Sequence, residues 1–135
     1  MTLKTLYKCA TKNGIDIDYF ELNNLTAVSI PGSIAINPKA VHNSKEEKVV
    51  LAHELGHQLR NAFYNISTSL ETKERMEYRA DRWAIKNLIP FPELLNALKN
   101  GITERWELAE HFNVTEDYID KAHKLYEEEL LKLCS

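Results

Sequence analysis

The sequence predicts an α+β fold, mostly helical, in which a small N-terminal β-hairpin packs against a long helix. Three observations predict it. Short runs rich in β-branched residues flank a Pro-Gly pair and occur only in the first third of the chain. From Ser44 onward, apolar residues recur at helical spacing. Capping signals and Asn-Gly or Pro stops then divide that stretch into separate helices.

Leu3 to Lys12 reads as a helix with Leu3, Leu6 and Tyr7 on one side, ended by Asn13-Gly14. Ile15 to Phe20 shows partial strand alternation. Ala27–Ile30 and Ser33–Asn37 read as two strands joined through Pro31-Gly32, an order that suits a type II turn. Ser44 with Glu47 has the form of a capping box, opening a helix through about Arg60 whose stripe is Val50, Leu51, Leu55 and Leu59. Asn61 to Ser69 is polar; Thr68 with Glu71 then suggests a second box and a helix running to Pro90. Pro92 suits the first turn of a short helix ending at Asn100-Gly101. Trp106 to Phe112 and Thr115 to about Leu133 complete a helical C-terminal part.

With 135 residues, the chain has room for one domain: about 1–92 as core and about 93–135 as a helical extension packed on it. Apolar residues make up 44% and charged residues 27%, as in a folded globular protein rather than a disordered tail. A formal charge of −3 argues against general affinity for nucleic-acid phosphates or anionic membranes. No apolar run approaches the roughly 20 residues of a membrane span, and the start of the chain lacks a secretory h-region. Cys9 and Cys134 have no metal-ligand spacing and read as free thiols of a cytoplasmic protein.

The sharpest chemical signal is His53-Glu54-Leu55-Gly56-His57, an H-E-x-x-H on a predicted helix. Histidines four apart stack on one face and can share a zinc ion at about 2.0–2.1 Å. Glu54 then leans over the ion and can take a proton from water whose pKa zinc lowers to about 7. The plain alternative is a solvated face with two histidines and a salt-bridging glutamate.

A catalytic zinc usually has three protein ligands and one open position. Downstream, Glu77-Tyr78-Arg79-Ala80-Asp81 puts two carboxylates four apart on one face, with a small residue between them that permits close helix contact. Glu77 as third ligand gives a His/His/Glu set, and Asp81 can accept the free ring N–H of a ligand histidine. Glu71 and Glu74 compete for the ligand role, although Glu74 lacks an aspartate one turn on. Pairing of Glu77 and Asp81 with Arg75, Arg79 or Arg82 is the bland reading. An oxyanion stabiliser is also usual, and His111, Tyr118 and His123 are candidates. His42 reads as a surface histidine. Ser33 to Asn37, just upstream of the metal helix, is the expected edge for an extended peptide.

Val50-Leu51-Ala52 before the histidine motif, and Glu77 to Ala84 followed by Leu88-Ile89-Pro90 after it, resemble the ImmA/IrrE metallopeptidases in motif order and spacing. The likeness spans about Ala27 to Pro92, roughly half of the chain. Trp83 stands where phenylalanine is commoner, and Ile89 where many members have methionine; neither departure touches the chemistry. The resemblance implies a zincin-like core with one zinc ion, His53, His57 and Glu77 as ligands, Glu54 as general base and Asp81 behind a ligand. It further implies a short, phage- or mobile-element-type member that cleaves a helix-turn-helix repressor in the bacterial cytoplasm, as an anti-repressor.

Leu108-Ala109 through Asn113-Val114 to Ile119 has the rhythm of a helix-turn-helix, so a DNA-binding or protein-interaction module with a merely structural metal is the rival reading. Glu116, Asp117 and Asp120 at the start of its second helix would repel phosphates. A helical pair packed on the core, with Trp106, Leu108, Phe112, Val114 and Ile119 interior, is therefore the expectation.

Overall fold

Helix α1 (Leu3–Lys12) is capped by Thr2, whose side chain accepts from the Thr5 N–H at 3.2 Å. It stops at Gly14, where φ is +68°, and buries Leu6 and Ala10. The computed structural model describes residues 1–134. Three short strands follow: β1 (Asp16–Tyr19), β2 (Ala27–Ile30) and β3 (Ser33–Ile36). Between β2 and β3, Gly32 has φ +85°, the value a type II turn requires of its third residue.

The strand order is β1-β3-β2, with β3 parallel to β1 and antiparallel to β2. This corrects the expectation that Ser33 to Asn37 offers the peptide-binding edge. β1 pairs along β3 from Asp16 opposite Ser33 to Tyr19 opposite Ile36, so β3 is central and both its sides are taken. β2 is the outer strand beside the helix that carries His53 and His57. Asn37 N–H donates to Thr26 O at 2.8 Å. Antiparallel alternation from that pair turns the N–H and C=O of Ala27 and Ser29 away from β3.

Helix α2 (Ser44–Leu59) starts one residue earlier than the expected box implies. Asn43 is its cap, accepting from the Glu46 N–H at 3.0 Å, and Glu46 accepts from the His42 N–H at 2.6 Å. Glu47 is not part of this cap; it accepts the hydroxyls of Tyr7 and Tyr19 and so ties α2 to α1 and the sheet. Near the other end, Gln58 bonds to four residues of the hairpin. Its amide nitrogen donates to Ser29 Oγ and to the carbonyls of Ile30 and Ser33, and its oxygen accepts from Gly32 N–H.

Helix α3 (Leu70–Leu88) is capped by Ser69 rather than Thr68. The Thr68 hydroxyl closes a turn instead, accepting from the Asn65 N–H at 3.0 Å. Then come α4 (Phe91–Lys99), α5 (Arg105–Phe112) and α6 (Glu116–Cys134), with Pro92 in the first turn of α4 and Asn113 in the left-handed region between α5 and α6. Leu108, Phe112, Val114 and Ile119 are buried as expected. Trp106 is not: it is 60% exposed, because the buried face of α5 runs through Leu108, Ala109 and Phe112. Several polar ties bind this part to the rest, two of them to backbone carbonyls. Buried Lys48 of α2 donates to the Phe112 carbonyl at 2.7 Å, and Tyr126 of α6 donates to the Ile89 carbonyl at 2.7 Å.

The approach of α2 to α3 depends on one glycine. A Cβ on Gly56 would stand 2.9 Å from Ala80 Cα and closer still to the Ala80 carbonyl oxygen. Backbone packs directly on backbone there, and nothing on α3 can yield by changing rotamer. Gly56→Ala is expected to lower the stability of the metal-free protein by about 1–3 kcal/mol in urea denaturation and to weaken metal binding. Adding Ala80→Gly does not restore either, since the obstruction is backbone.

Candidate metal centre

His53 and His57 lie one turn apart on α2, and Glu77 faces them from α3. His53 Nε2 is 3.2 Å from His57 Nε2 and 2.9 Å from Glu77 Oε2, while His57 Nε2 is 3.2 Å from Glu77 Oε1. Ligands about 2.0–2.1 Å from a tetrahedral zinc are separated by roughly 3.4 Å. The two imidazole nitrogens and the two oxygens of Glu77 therefore converge at spacings close to those between ligands of such a site. Glu71 and Glu74 are exposed on α3 and take no part. The arginines take other partners: Arg75 bonds Thr72, Arg79 the Met76 sulfur and Arg82 Glu129.

The outer ring nitrogens fix which nitrogen faces inward. His57 Nδ1 is 2.6 Å from the Ala62 carbonyl oxygen, which can only accept, so Nδ1 carries a proton and the neutral ring turns its Nε2 lone pair to the centre. His53 Nδ1 is 2.8 Å from Asp81 Oδ1. Asp81 is itself held from α6, by the Tyr118 hydroxyl at 2.8 Å on Oδ1 and by Lys121 Nζ at 3.2 Å on Oδ2. Of the three oxyanion candidates, Tyr118 is buried and committed to Asp81, while His111 and His123 are exposed on α5 and α6.

Tyr64 belongs to the centre although no sequence pattern marks it. Its hydroxyl donates to Glu77 Oε1 at 2.6 Å, and its ring meets His57 edge-on at 6.2 Å. It lies in the polar segment after α2, where no periodicity or spacing singles out one aromatic residue. Tyr64, Phe63, Ala62, Glu54, His57, Glu77 and residues Ala27 to Ser29 of β2 line an open cleft of about 210 Å³. A larger, mostly apolar groove of about 580 Å³ runs between α3 and α6 past Tyr78, Phe91 and Tyr126, and none of the metal-facing groups line it.

Without metal the centre is a proton-sharing cluster. Burial opposes charge on His53, but hydrogen bonds to Asp81 and Glu77 prevail and raise its pKa to about 9. His57 is raised in the same way, burial being outweighed by the bonds to Glu77 and the Ala62 carbonyl. Bonds from both histidines hold Glu77 well below the usual carboxylate range. Glu54 shifts oppositely: burial raises it, and the two histidines offset only part of that.

Two histidines and a carboxylate converge beside an open cleft, with a second glutamate alongside, in an arrangement that could hold a metal ion. The chain matches the family model described as the IrrE N-terminal-like domain, Peptidase_M78, over residues 5–124, and belongs to that family. No curated protein matches the chain.

Two outcomes are expected for metal binding. Asp81→Ala should weaken zinc affinity by about 10–100-fold in chelator competition, with Tyr118→Phe moving it in the same direction. A metal ion must also displace the His53 proton, which is held up to about pH 9 rather than 6.5. Zinc affinity is therefore expected to climb about tenfold per pH unit for each proton displaced and to level off only near that pH.

Proposed function

We propose that this chain is a zinc endopeptidase that hydrolyses a bond in one specific protein, a helix-turn-helix repressor of a phage or mobile element, in the bacterial cytoplasm. The observation that carries the hydrolase reading is the triad His53, His57 and Glu77 opening onto a cleft shared with Glu54 and the outer strand β2. One zinc ion suits this donor set, and when bound it supplies a Lewis acid that polarises a carbonyl and makes water a nucleophile near neutral pH.

The chain's own residues supply the rest. Glu54 is the proposed general base: it borders the cleft, and a carboxylate with a pKa raised by burial accepts a proton from water more readily than a solvated one. It then returns that proton to the leaving amine as the C–N bond breaks. Asp81 holds the His53 ring and its tautomer. The outward backbone groups of Ala27 and Ser29 offer an extended peptide one more antiparallel pairing.

Recognition of a folded protein is supported by the segment between α2 and α3. Just beyond Tyr64, Ile66 is 94% exposed and Leu70 72% exposed, apolar surface that a partner protein would cover. Among the described residues, no helix is long and apolar enough to cross a membrane. The DNA-binding alternative is disfavoured by charge. Arg105, beside the expected recognition helix, bonds Asp120 and Glu116 and lies 3.6 Å from Asp117, so the cation nearest that helix's start is already paired with carboxylates.

Incubation of the zinc-loaded protein with the repressor encoded beside it, followed by mass spectrometry, should yield two fragments. Glu54→Gln should bind zinc normally and cleave about 10²–10⁴-fold more slowly. An intact repressor with the wild type would count against this substrate, and an equally active Glu54→Gln against the mechanism.

A further inference from the structure

As water adds to a peptide carbonyl, negative charge grows on the carbonyl oxygen, and a donor fixed beside that oxygen accelerates the step. Tyr118 cannot be that donor, because its hydroxyl is buried against Asp81. His111 rests edge-on against Phe112 and, like His123, is exposed, and neither borders the cleft lined by Glu54, His57 and Glu77.

Tyr64 is placed for the task. Its oxygen is 2.6 Å from Glu77 Oε1, so an ion held by Glu77 would lie within about 5 Å of the phenol. Its ring lines the cleft together with Glu54 and β2, the side from which a peptide must enter. The residue is 43% exposed, and its hydroxyl bonds a partly exposed carboxylate rather than a buried one, so the phenol can turn at small cost. The chain turns after α2 at Asn61, whose φ is +51°, and Tyr64 follows three residues on.

We propose that Tyr64 is a catalytic residue: it donates to Glu77 when the cleft is empty and to the scissile carbonyl oxygen when a peptide lies along β2. This rests on the hydrolase reading. The phenol keeps its proton throughout. The water proton travels through Glu54 to the leaving nitrogen, the new C–O bond forms as the C–N bond breaks, and Tyr64 contributes only its hydrogen bond.

Acetohydroxamate tests this without knowledge of the natural substrate, because its carbonyl oxygen takes the place of the scissile one. Its affinity is measured calorimetrically for wild type and Tyr64→Phe, both saturated with zinc, and zinc content confirms that both sites are formed. Affinity for Tyr64→Phe is expected to fall by about tenfold or more. A smaller change, whatever happens to zinc affinity, overturns the proposal and leaves Tyr64 as a support for Glu77. Absence of any binding to the wild type would remove the open metal position, and with it the hydrolase reading as well as the role of Tyr64. That failure is told apart because it does not depend on the tyrosine.

Discussion

The centre depends on the contact between Gly56 and the backbone of Ala80. Two histidines on one helix supply only an edge of a coordination polyhedron, and the third donor has to come from another element. Glu77 reaches within 2.9–3.2 Å of both imidazoles because α3 lies directly on α2, with no side chain between them at that point. Gly56 is thus part of the motif for a geometric reason: it lies between the two ligand histidines, where the helices touch.

Around the triad, each candidate ligand has its own orienting partner. Asp81 holds His53, the Ala62 carbonyl holds His57 and the Tyr64 hydroxyl meets Glu77. These partners come from α3, the segment after α2 and, through Tyr118 and Lys121 behind Asp81, from α6. The last helix is therefore linked to the metal side of the molecule by two hydrogen bonds as well as by its apolar face. The hydrogen bonds of the cluster push both histidines toward holding a proton and Glu77 and Asp81 toward giving theirs up, while among these carboxylates burial prevails only at Glu54 and pushes it the other way.

The helices and the triad were legible because each is written in local or periodic signals. His53 and His57 sit four apart, Glu77 and Asp81 sit four apart, and the small Ala80 marks the contact face. The type II turn was legible too, from proline followed by glycine. What escaped the sequence depends on long-range pairing or on competition between neighbouring polar groups. The parallel pairing of β1 with β3 leaves no local mark, and it moved the free edge from β3 to β2. Asn43 and Ser69 won the caps over Ser44 and Thr68 because adjacent residues of similar chemistry competed for the same N–H groups. Tyr64 was invisible because its position is set by the path of an irregular segment.

Gln58 gives the molecule a mechanical property. One side-chain amide fastens the hairpin at Ser29, Ile30, Gly32 and Ser33 to the residue directly after His57. The strand along which a peptide would lie is thereby tied by side-chain hydrogen bonds to the helix that presents the imidazoles. The opposite wall of the cleft is the irregular stretch that carries Phe63 and Tyr64, so the girth open to an entering chain is the gap between that stretch and the tied hairpin.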